Sequence, residues 1–196
     1  MKLLALVSGP SGPLARVAVL FCVVSLSFVP QRASAQLNSN TSDVVLTATL
    51  LESLTVAVAP GAVNFALIAA NSANGSTPVA ITTTWALSAG RTTVDLYGSF
   101  SSSTAALSDE SGHTLPSSTL FGQVTTGLPT SFTAFTQTGP FGVAGASLHI
   151  FSQAITLTNV SGTRTDNLSL RIDLRNVPQP PTAVYEGILH IHAQAL

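Results

Sequence analysis

The chain closes on the stretch Thr182-Ala-Val-Tyr-Glu-Gly-Ile-Leu-His-Ile-His-Ala-Gln-Ala-Leu196, in which apolar and mostly polar positions alternate. The apolar positions are Tyr185, Gly187, Leu189, Ile191, Ala193 and Ala195. The other positions are Glu186, Ile188, His190, His192 and Gln194. A period of two is that of a β-strand with one buried face. The turn Val177-Pro-Gln-Pro-Pro181 ends the strand before it. We therefore predict a β-sandwich built around this closing strand.

The same alternation recurs along the chain and predicts about eight to ten short antiparallel strands. The clearest strand carries Leu168, Leu170, Ile172 and Leu174 on its inner face. Another runs from Val79 to Leu87, with Trp85, the only Trp, on its apolar face. The turn Ser88-Ala-Gly90 joins it to the strand from Val94 to Phe100, which predicts a hairpin. Because no segment after residue 35 shows a helical apolar stripe, the predicted class is all-β.

The first 35 residues have the features of a secretory signal peptide. A basic start precedes the apolar run Val17–Val29, and the small residues of Arg32-Ala-Ser-Ala35 predict cleavage after Ala35. The alternative is a membrane anchor, but the run is shorter than the roughly 20 residues that span a bilayer. Phe21 before Cys22 argues against a lipoprotein signal. We predict a flexible leader at 36–43, one β-sandwich domain at 44–196, and a secreted protein, extracellular, periplasmic or on the cell surface.

The charge of the predicted mature part argues against two classes of partner, nucleic acids and anionic membrane surfaces. After residue 35 the chain has four arginines, eight acidic residues and no lysine, for a net charge of about −4. No basic patch is available for nucleic acid or for an anionic membrane surface. The single cysteine, Cys22, leaves with the signal peptide, so sheet pairing and apolar burial must stabilise the domain without a disulfide.

The pattern Tyr185-x-Gly187-x-Leu189-x-Ile191, after a proline-containing turn, resembles the last strand of bacterial secreted immunoglobulin-like sandwiches, such as spore-coat-U-like and fimbrial-subunit-like domains. The resemblance extends to the strand 167–174 and to the run 44–58. It implies an immunoglobulin-like sandwich and a coat or fimbria-like role. The absence of a mature cysteine departs from fimbrial subunits. The chain is also similar to uncharacterised secreted proteins of soil bacteria, a resemblance that implies no known activity.

His190 and His192 are the only candidate metal ligands that stand close together in the predicted strands. Their i, i+2 spacing directs both rings to one face, where His149 or Glu186 is available as a third ligand for zinc or copper. The opposite face holds Leu189 and Ile191, which favours two solvent-exposed histidines instead. A zinc site needs three or four protein ligands, so no metal or other cofactor is predicted.

Other possible sites lack the spacing that their chemistry requires. Asp109, Glu110 and His113 share one predicted loop, but the spacing of an EF-hand calcium loop is absent. The Gly-rich stretch 139–145 lacks the Lys-Ser/Thr ending of a P-loop, and no G-x-S-x-G occurs. No catalytic residues are predicted. We expect a non-enzymatic structural or cell-surface protein. The alternatives are a glycan- or ligand-binding module using loops 101–118 and 137–146, and a metal enzyme using the two histidines.

The run from Val44 to Val58 bears on assembly, because its apolar parity is interrupted only at Glu52. A bulge or strand switch at Glu52-Ser53 would divide it into two strands. One alternative is that the stretch Val44–Leu50 completes the sheet of a neighbouring copy, as in fimbrial subunits of the chaperone–usher type. Since the predicted strands already suffice for a sandwich, we expect Val44–Leu50 to pair within its own chain and the protein to be a monomer. Other surface proteins or glycans are the expected partners.

Overall fold

The computed structural model describes residues 39–196. The chain divides into a unit of residues 1–46 and a unit of residues 47–196. Of the first unit, residues 39–46 are described; they are exposed and form no strand. The predicted signal peptide, 1–35, lies outside the described residues, as do residues 36–38 of the predicted leader.

Residues 47–196 form an all-β unit of eleven strands. The strands are β1 Ser53–Ala59, β2 Ser72–Asn74, β3 Val79–Ala86, β4 Thr93–Ser99, β5 Leu107–Ser108, β6 Thr114–Leu115, β7 Leu120–Val124, β8 Thr133–Ala134, β9 Ser147–Ala154, β10 Ser161–Asp173 and β11 His190–Ala195. One turn of 3₁₀ helix, Ser117–Thr119, lies between β6 and β7. Among residues 39–196, no helix is long and apolar enough to cross a membrane.

The strands form two antiparallel sheets that pack on one core, as predicted for a sandwich. The larger sheet has the order β1-β3-β10-β7-β8, and β2 pairs with the last residues of β10. The smaller sheet has the order β11-β4-β9. Strands β5 and β6 form a separate two-stranded hairpin. The larger sheet is therefore five strands wide, and the smaller is three.

The alternation in each strand determines which side chains enter the core. In β3 the core-facing residues are Val79, Ile81, Thr83 and Trp85, all buried. In β10 the predicted set Leu168, Leu170 and Ile172 is buried, and Leu174 follows it. The β4 side chains Val94 and Leu96 face them from the smaller sheet. These assignments confirm the predicted inner faces and the burial of Trp85.

The predicted hairpin between the strands at 79–87 and 94–100 is wrong. β3 pairs with β1 and β10, whereas β4 pairs with β11 and β9 in the other sheet. The turn around Ser88-Ala-Gly90 therefore carries the chain across the sandwich from one sheet to the other. The alternation in two successive strands is the same whether they pair with each other or face each other across a core.

The prediction that the sandwich is built around the closing strand is also wrong. β11 begins only at His190 and lies at the edge of the smaller sheet, paired with β4 alone. The central strand is β10, the longest, which contacts β2, β3 and β7. It runs from Ser161 to Asp173. Outside the strands, Phe65 and Gly75 form an isolated antiparallel bridge.

Candidate functional site

One margin of the sandwich is closed by hydrogen bonds between the two sheets. After β8, the Gln137 N–H donates to the Ser147 carbonyl at 2.9 Å, and the Ser147 N–H donates to the Gln137 carbonyl at 3.0 Å. Ser147 is the first residue of β9, so the chain leaving the larger sheet pairs directly with the smaller one. The side chains behind this junction, Phe135, Leu148 and Ile150, are fully buried. We call this side, formed by β8, residues 135–137 and β9, the closed margin.

The opposite side, formed by β1 and β11, lacks such a junction, and we call it the open margin. β1 is the outermost strand of the larger sheet and pairs only with β3. β11 is the outermost strand of the smaller sheet and pairs only with β4. The two strands approach each other at Cα distances within 8 Å, yet no ladder joins them. The described part of the chain thus leaves two strand edges unpaired side by side.

The core-facing side chains of β1 are incompletely covered at the open margin. Leu54 and Val56 lie opposite the buried Trp85 and Thr83 of β3, but both are only half-buried. Val58 lies opposite the fully buried Ile81 and is itself 47% exposed. A side chain that shares a face with the core yet contacts solvent indicates that the smaller sheet does not extend over β1.

The core-facing side chains of β11 show the same incomplete cover. Ile191, Ala193 and Ala195 lie opposite Gly98, Leu96 and Val94 of β4. Leu96 and Val94 are fully buried, whereas the three β11 residues remain half-buried. Together with the core-facing side chains of β1, these three β11 residues form an apolar strip along the open margin. The smaller sheet is narrower than the larger one on this side.

The backbone of β11 also leaves hydrogen-bonding groups directed to the open margin. Leu196 exchanges both of its backbone hydrogen bonds with Thr93. In an antiparallel ladder, such pairs alternate with pairs that make no mutual bonds. Ile191, Ala193 and Ala195 occupy the alternate positions, so their N–H and C=O groups point away from β4. Ile191 and Ala193 therefore present both unpaired backbone groups and incompletely covered apolar side chains, whereas the Ala195 carbonyl accepts a hydrogen bond from Arg91.

Residues 44–52, called the apolar leader from here on to separate them from the predicted flexible leader at 36–43, pair with no strand in the described part of the chain. The predicted pairing of Val44–Leu50 within its own chain is therefore wrong. Residues 39–52 form no strand. The large apolar side chains Val44, Val45, Leu46, Leu50 and Leu51 are 79–89% exposed. The expectation of a monomer, which came from the number of predicted strands, stays a prediction.

The predicted bulge at Glu52-Ser53 is also wrong, because Glu52 forms an ion pair at the start of β1. Its carboxylate accepts hydrogen bonds from the Ser88 N–H at 2.7 Å and from Arg91 Nη2 at 2.8 Å. These hydrogen bonds, from Arg91 first, lower the pKa of Glu52 to about 2. Arg91 Nη1 also donates to the Ala195 carbonyl at 3.2 Å. This Glu52–Arg91 clamp links the start of β1 to the end of β11.

A row of aromatic and imidazole rings lies on the outer face of the smaller sheet. Tyr97 stacks on His149 at 4.7 Å between ring centroids, and Phe141 stacks on His192 at 4.8 Å. Tyr97 meets Phe141 edge to face at 6.1 Å. Phe141 comes from the Gly-rich loop, which is held by the hydrogen bond from Ser147 Oγ to the Phe141 carbonyl. Burial and the nearby Asp95 carboxylate raise the pKa of Tyr97.

The two histidines predicted as possible metal ligands lie on this outer face, and the structure brings no third ligand to them. His190 and His192 are exposed, with ring centroids 6.1 Å apart. Tyr97 separates His192 from His149, since His192 pairs with Tyr97 and Tyr97 pairs with His149. His149 is instead hydrogen-bonded to Asp95 at 3.3 Å. Within residues 39–196, no group of three or more His, Cys, Asp or Glu side chains could hold a metal ion.

Asp109, one of the two acidic residues of loop 101–118, is used in local structure. Asp109 accepts hydrogen bonds from the backbone N–H groups of Ser111 and His113, and its other oxygen is 2.7 Å from His113 Nδ1. Burial by itself raises the pKa of Asp109, but the hydrogen bonds from His113 and Ser111 lower it overall. The carboxylate therefore shapes the β5–β6 turn. A shallow cleft beside it is lined by Asp109, Glu110, Glu186 and neighbouring residues.

Comparison with protein-family models, with curated proteins and with solved structures found no match to this chain. The assignment of function therefore depends on the geometry of the chain itself.

Sequence reasoning missed the open margin although its elements were visible. Val44, Leu46, Ala48 and Leu50 share one parity, which predicts a strand. The number of predicted strands placed the partner of that strand in the same chain. One available signal was that no Gly, Pro, Asn or Asp occurs between Val44 and Val58. Without turn residues, this run has no place to reverse and form a hairpin with itself.

Proposed function

We propose that this protein is a secreted, non-enzymatic structural or cell-surface protein, a coat or fimbria-like component that assembles with other copies. The observation that supports this proposal most directly is the apolar leader, where five large apolar side chains within residues 44–51 are 79–89% exposed. Burying a Val or Leu side chain contributes about 1.5–3 kcal/mol, so such a segment gains considerably from a partner. An immunoglobulin-like subclass of the sandwich is part of the same proposal.

The surface of the protein is consistent with an assembling subunit. Single strands at a sheet edge are usually guarded by lysines, prolines or charges. β1 and β11 contain no Lys, Pro, Asp or Glu, and the nearest charges are in the Glu52–Arg91 clamp at one end. The edges are therefore available for pairing with another chain.

Multi-angle light scattering on the purified protein tests this proposal. We expect species much larger than 20.0 kDa, the mass of the whole chain. A protein that remains a monomer over the full range of accessible concentrations contradicts the structural role.

The predicted secretion has its own test. Expression of the full sequence in a bacterium is expected to yield an extracellular or periplasmic product whose first residue is Gln36. Intact-mass spectrometry distinguishes this product from one that retains residues 1–35. Retention contradicts the secretory part of the proposal and leaves the assembly part in place.

A second candidate function, glycan or ligand binding, is favoured by the ring row on the outer face of the smaller sheet. Aromatic rings provide rigid apolar area for planar ligands such as sugars. Sedimentation with insoluble polysaccharides tests it, with Tyr97→Ala and Phe141→Ala expected to abolish binding. Phe132→Ala, which removes a ring that lies against Arg171 of the larger sheet, is the matched control. Undiminished binding by the first two variants would rule out this surface.

A further inference from the structure

We propose that two copies of the chain pair edge to edge through β11, about a two-fold axis at Ile191, and together bind one Zn²⁺ ion with four histidines. Each copy supplies His190 and His192 from the outer face of β11. This inference rests on the proposed assembly with other copies, and it names one contact between copies together with the ion that controls it.

The two imidazole rings of one copy are placed as half of a metal site. His190 and His192 are exposed on the same face of β11, with ring centroids 6.1 Å apart. With Zn–N distances near 2.0–2.1 Å, the centroids of two rings on one tetrahedral ion lie about 5 Å apart, a difference that side-chain rotation closes. Among residues 39–196, the histidine rings engaged with carboxylates are those of His113 and His149. The two rings on β11 therefore present their nitrogen atoms to solvent.

The backbone edge of β11 determines how a second copy can pair with it. The N–H and C=O groups of Ile191 and Ala193 point to the open margin, because the even-numbered residues of β11 bond to β4. Toward the end of the strand, Arg91 Nη1 donates to the Ala195 carbonyl at 3.2 Å and occupies that position. The edge that another strand can use therefore consists of residues 189–193.

A two-fold axis at the centre of this edge selects one antiparallel register. Ile191 of each copy exchanges both backbone hydrogen bonds with Ile191 of the other. Ala193 of each copy then lies opposite Leu189 of the other, which pairs a small side chain with a large one. The even-numbered residues form the pairs without mutual hydrogen bonds, in which side chains are closest. His190 of each copy therefore lies directly opposite His192 of the other.

This register gathers four imidazole rings on the outer face of the joined sheet. The Cβ atoms of opposite residues are about 4.5–5.5 Å apart. Residues two positions apart on one strand are about 7 Å apart. The rings thus stand at the corners of a rectangle centred on the two-fold axis. A tetrahedral ion has two-fold symmetry of its own, so an ion on the axis takes two equivalent rings from each copy.

Phe141 restricts one of the rings before an ion binds. It stacks on His192 with 4.8 Å between ring centroids and 15° between ring planes. The loop that carries it is tied down by the hydrogen bond from Ser147 Oγ to the Phe141 carbonyl. Stacking limits the rotation of the imidazole but leaves its nitrogen atoms accessible, because their lone pairs lie in the ring plane. A ligand restricted in this way loses less side-chain entropy when the ion binds.

The same pairing covers part of the apolar strip of the open margin. Ile191 and Ala193 are half-buried on the core-facing side of β11, and Leu189 adjoins them. In the dimer, the inward side chains of the second β11 lie beside those of the first. Because both copies use one surface, the contact is isologous and closes as a dimer. Larger assemblies then grow from the dimer through another surface.

Zinc-dependent pairing tests the site. The full chain carries Cys22→Ser, which removes the only cysteine as a competing ligand, and is studied by sedimentation velocity in ZnCl₂ and in EDTA. We expect zinc to lower the dissociation constant for pairing by at least about tenfold, because the ion binds only the paired state tightly. Elemental analysis should find one zinc ion per two chains. An unchanged dissociation constant, or one ion per chain, overturns the inference.

Substitution of single histidines identifies the ligands. Because of the two-fold axis, His190→Gln or His192→Gln removes two of the four ligands, and either is expected to abolish the effect of zinc. Both side chains are exposed, so circular dichroism should find the fold unchanged. His113→Gln, in the β5–β6 turn, is the matched control and should retain the effect. A zinc effect that survives both β11 substitutions contradicts the site.

Disulfide trapping tests the register without zinc. In the Cys22→Ser chain, Ile191→Cys places two thiols at the axis, where a Cα distance of about 5.5 Å allows a disulfide. Ala193→Cys lies on the same face of the same strand, but its two thiols are roughly 14 Å apart along the paired strands. We expect Ile191→Cys to give about tenfold more covalent dimer on a non-reducing gel. Equal or greater trapping by Ala193→Cys overturns the register and the four-histidine site.

The outcomes separate this inference from the proposed function. Assembly that responds neither to zinc, nor to EDTA, nor to the two β11 histidine substitutions overturns the metal site while the structural function stands. A protein that remains a monomer both in zinc and in EDTA contradicts the inference and the proposed function together.

Discussion

The two margins of the sandwich differ in one hydrogen-bonded junction. At the closed margin, Gln137 and Ser147 join the sheets, and Phe135, Leu148 and Ile150 behind them are fully buried. At the open margin, β1 and β11 lie side by side without a ladder, and Val58 is 47% exposed on a core-facing position. Similar apolar strands are thus joined across the sandwich at one margin and left without a junction at the other. The proposed assembly with other copies would use the margin without the junction.

The largest effect is expected from comparing the loss of stability caused by one substitution at each margin. Phe135→Ala should lower the free energy of unfolding by about 3–5 kcal/mol, because it empties a fully buried position. Val58→Ala in the unassembled protein should change it by less than about 0.5 kcal/mol, since the side chain already contacts solvent. Urea unfolding at low concentration measures both. Equal losses would mean that the open margin is covered in solution.

The substitution Trp85→Ala tests how tightly the core is packed between the two margins. Trp85→Ala should cost about 3 kcal/mol, because the ring is 6% exposed and its Nε1–H donates to the Asn159 carbonyl at 3.0 Å. Gly162 lies directly under the ring, with room for no side chain. Unfolding followed by circular dichroism is the measurement, because the variant lacks the only Trp. Stability close to that of the unchanged chain would contradict a sandwich core that includes β3.

A smaller effect is expected from the buried ion pair of β10. Asp166 is fully buried, accepts two hydrogen bonds from Arg164 at 2.7 and 2.8 Å, and accepts one from Thr126 Oγ1 at 3.0 Å. Asp166→Ala should destabilise by about 2 kcal/mol, less than a fully enclosed pair would, because Arg164 reaches solvent. Thr126→Val, which removes only the weaker partner, is the control and should cost less. A larger loss of stability from Thr126→Val than from Asp166→Ala would contradict the importance of the ion pair.

The smallest effect is expected at the open margin, from the Glu52–Arg91 clamp. The pKa of Glu52 is lowered from 4.5 to about 2. A carboxyl whose pKa is lower in the folded state stabilises the fold above its unfolded pKa and loses that contribution as the pH falls. The stability difference between the unchanged chain and Glu52→Gln should therefore be constant above about pH 4.5 and shrink toward pH 2. A difference that is independent of pH would mean that the clamp does not form in solution.

Several features of the fold could be predicted because they depend on local alternation alone. The inner faces of β3 and β10 are confirmed. The exposure of His190 and His192 followed from Leu189 and Ile191 on the opposite face. In each case the side chains of one strand determine which of its two faces avoids water.

The pairing of strands could not be predicted in the same way. Ser88-Ala-Gly90 looks like a hairpin turn, yet it carries the chain between sheets because β3 already has β1 and β10 as neighbours. The candidate site was missed for the same reason. Val44–Leu50 has the alternation of a strand, but alternation does not say whether a partner lies in the same chain.

The sequence by itself determined that this protein is all-β, which faces of its strands are apolar, and that its apolar leader has the pattern of a strand. These properties follow from side chains a few residues apart. Only the tertiary structure decided that β11 is an edge strand, that β9 is joined to residue 137, and that β1 and the apolar leader remain uncovered. Those outcomes depend on competition among distant strands for a limited number of neighbours, and the free energy of each pairing depends on all the others.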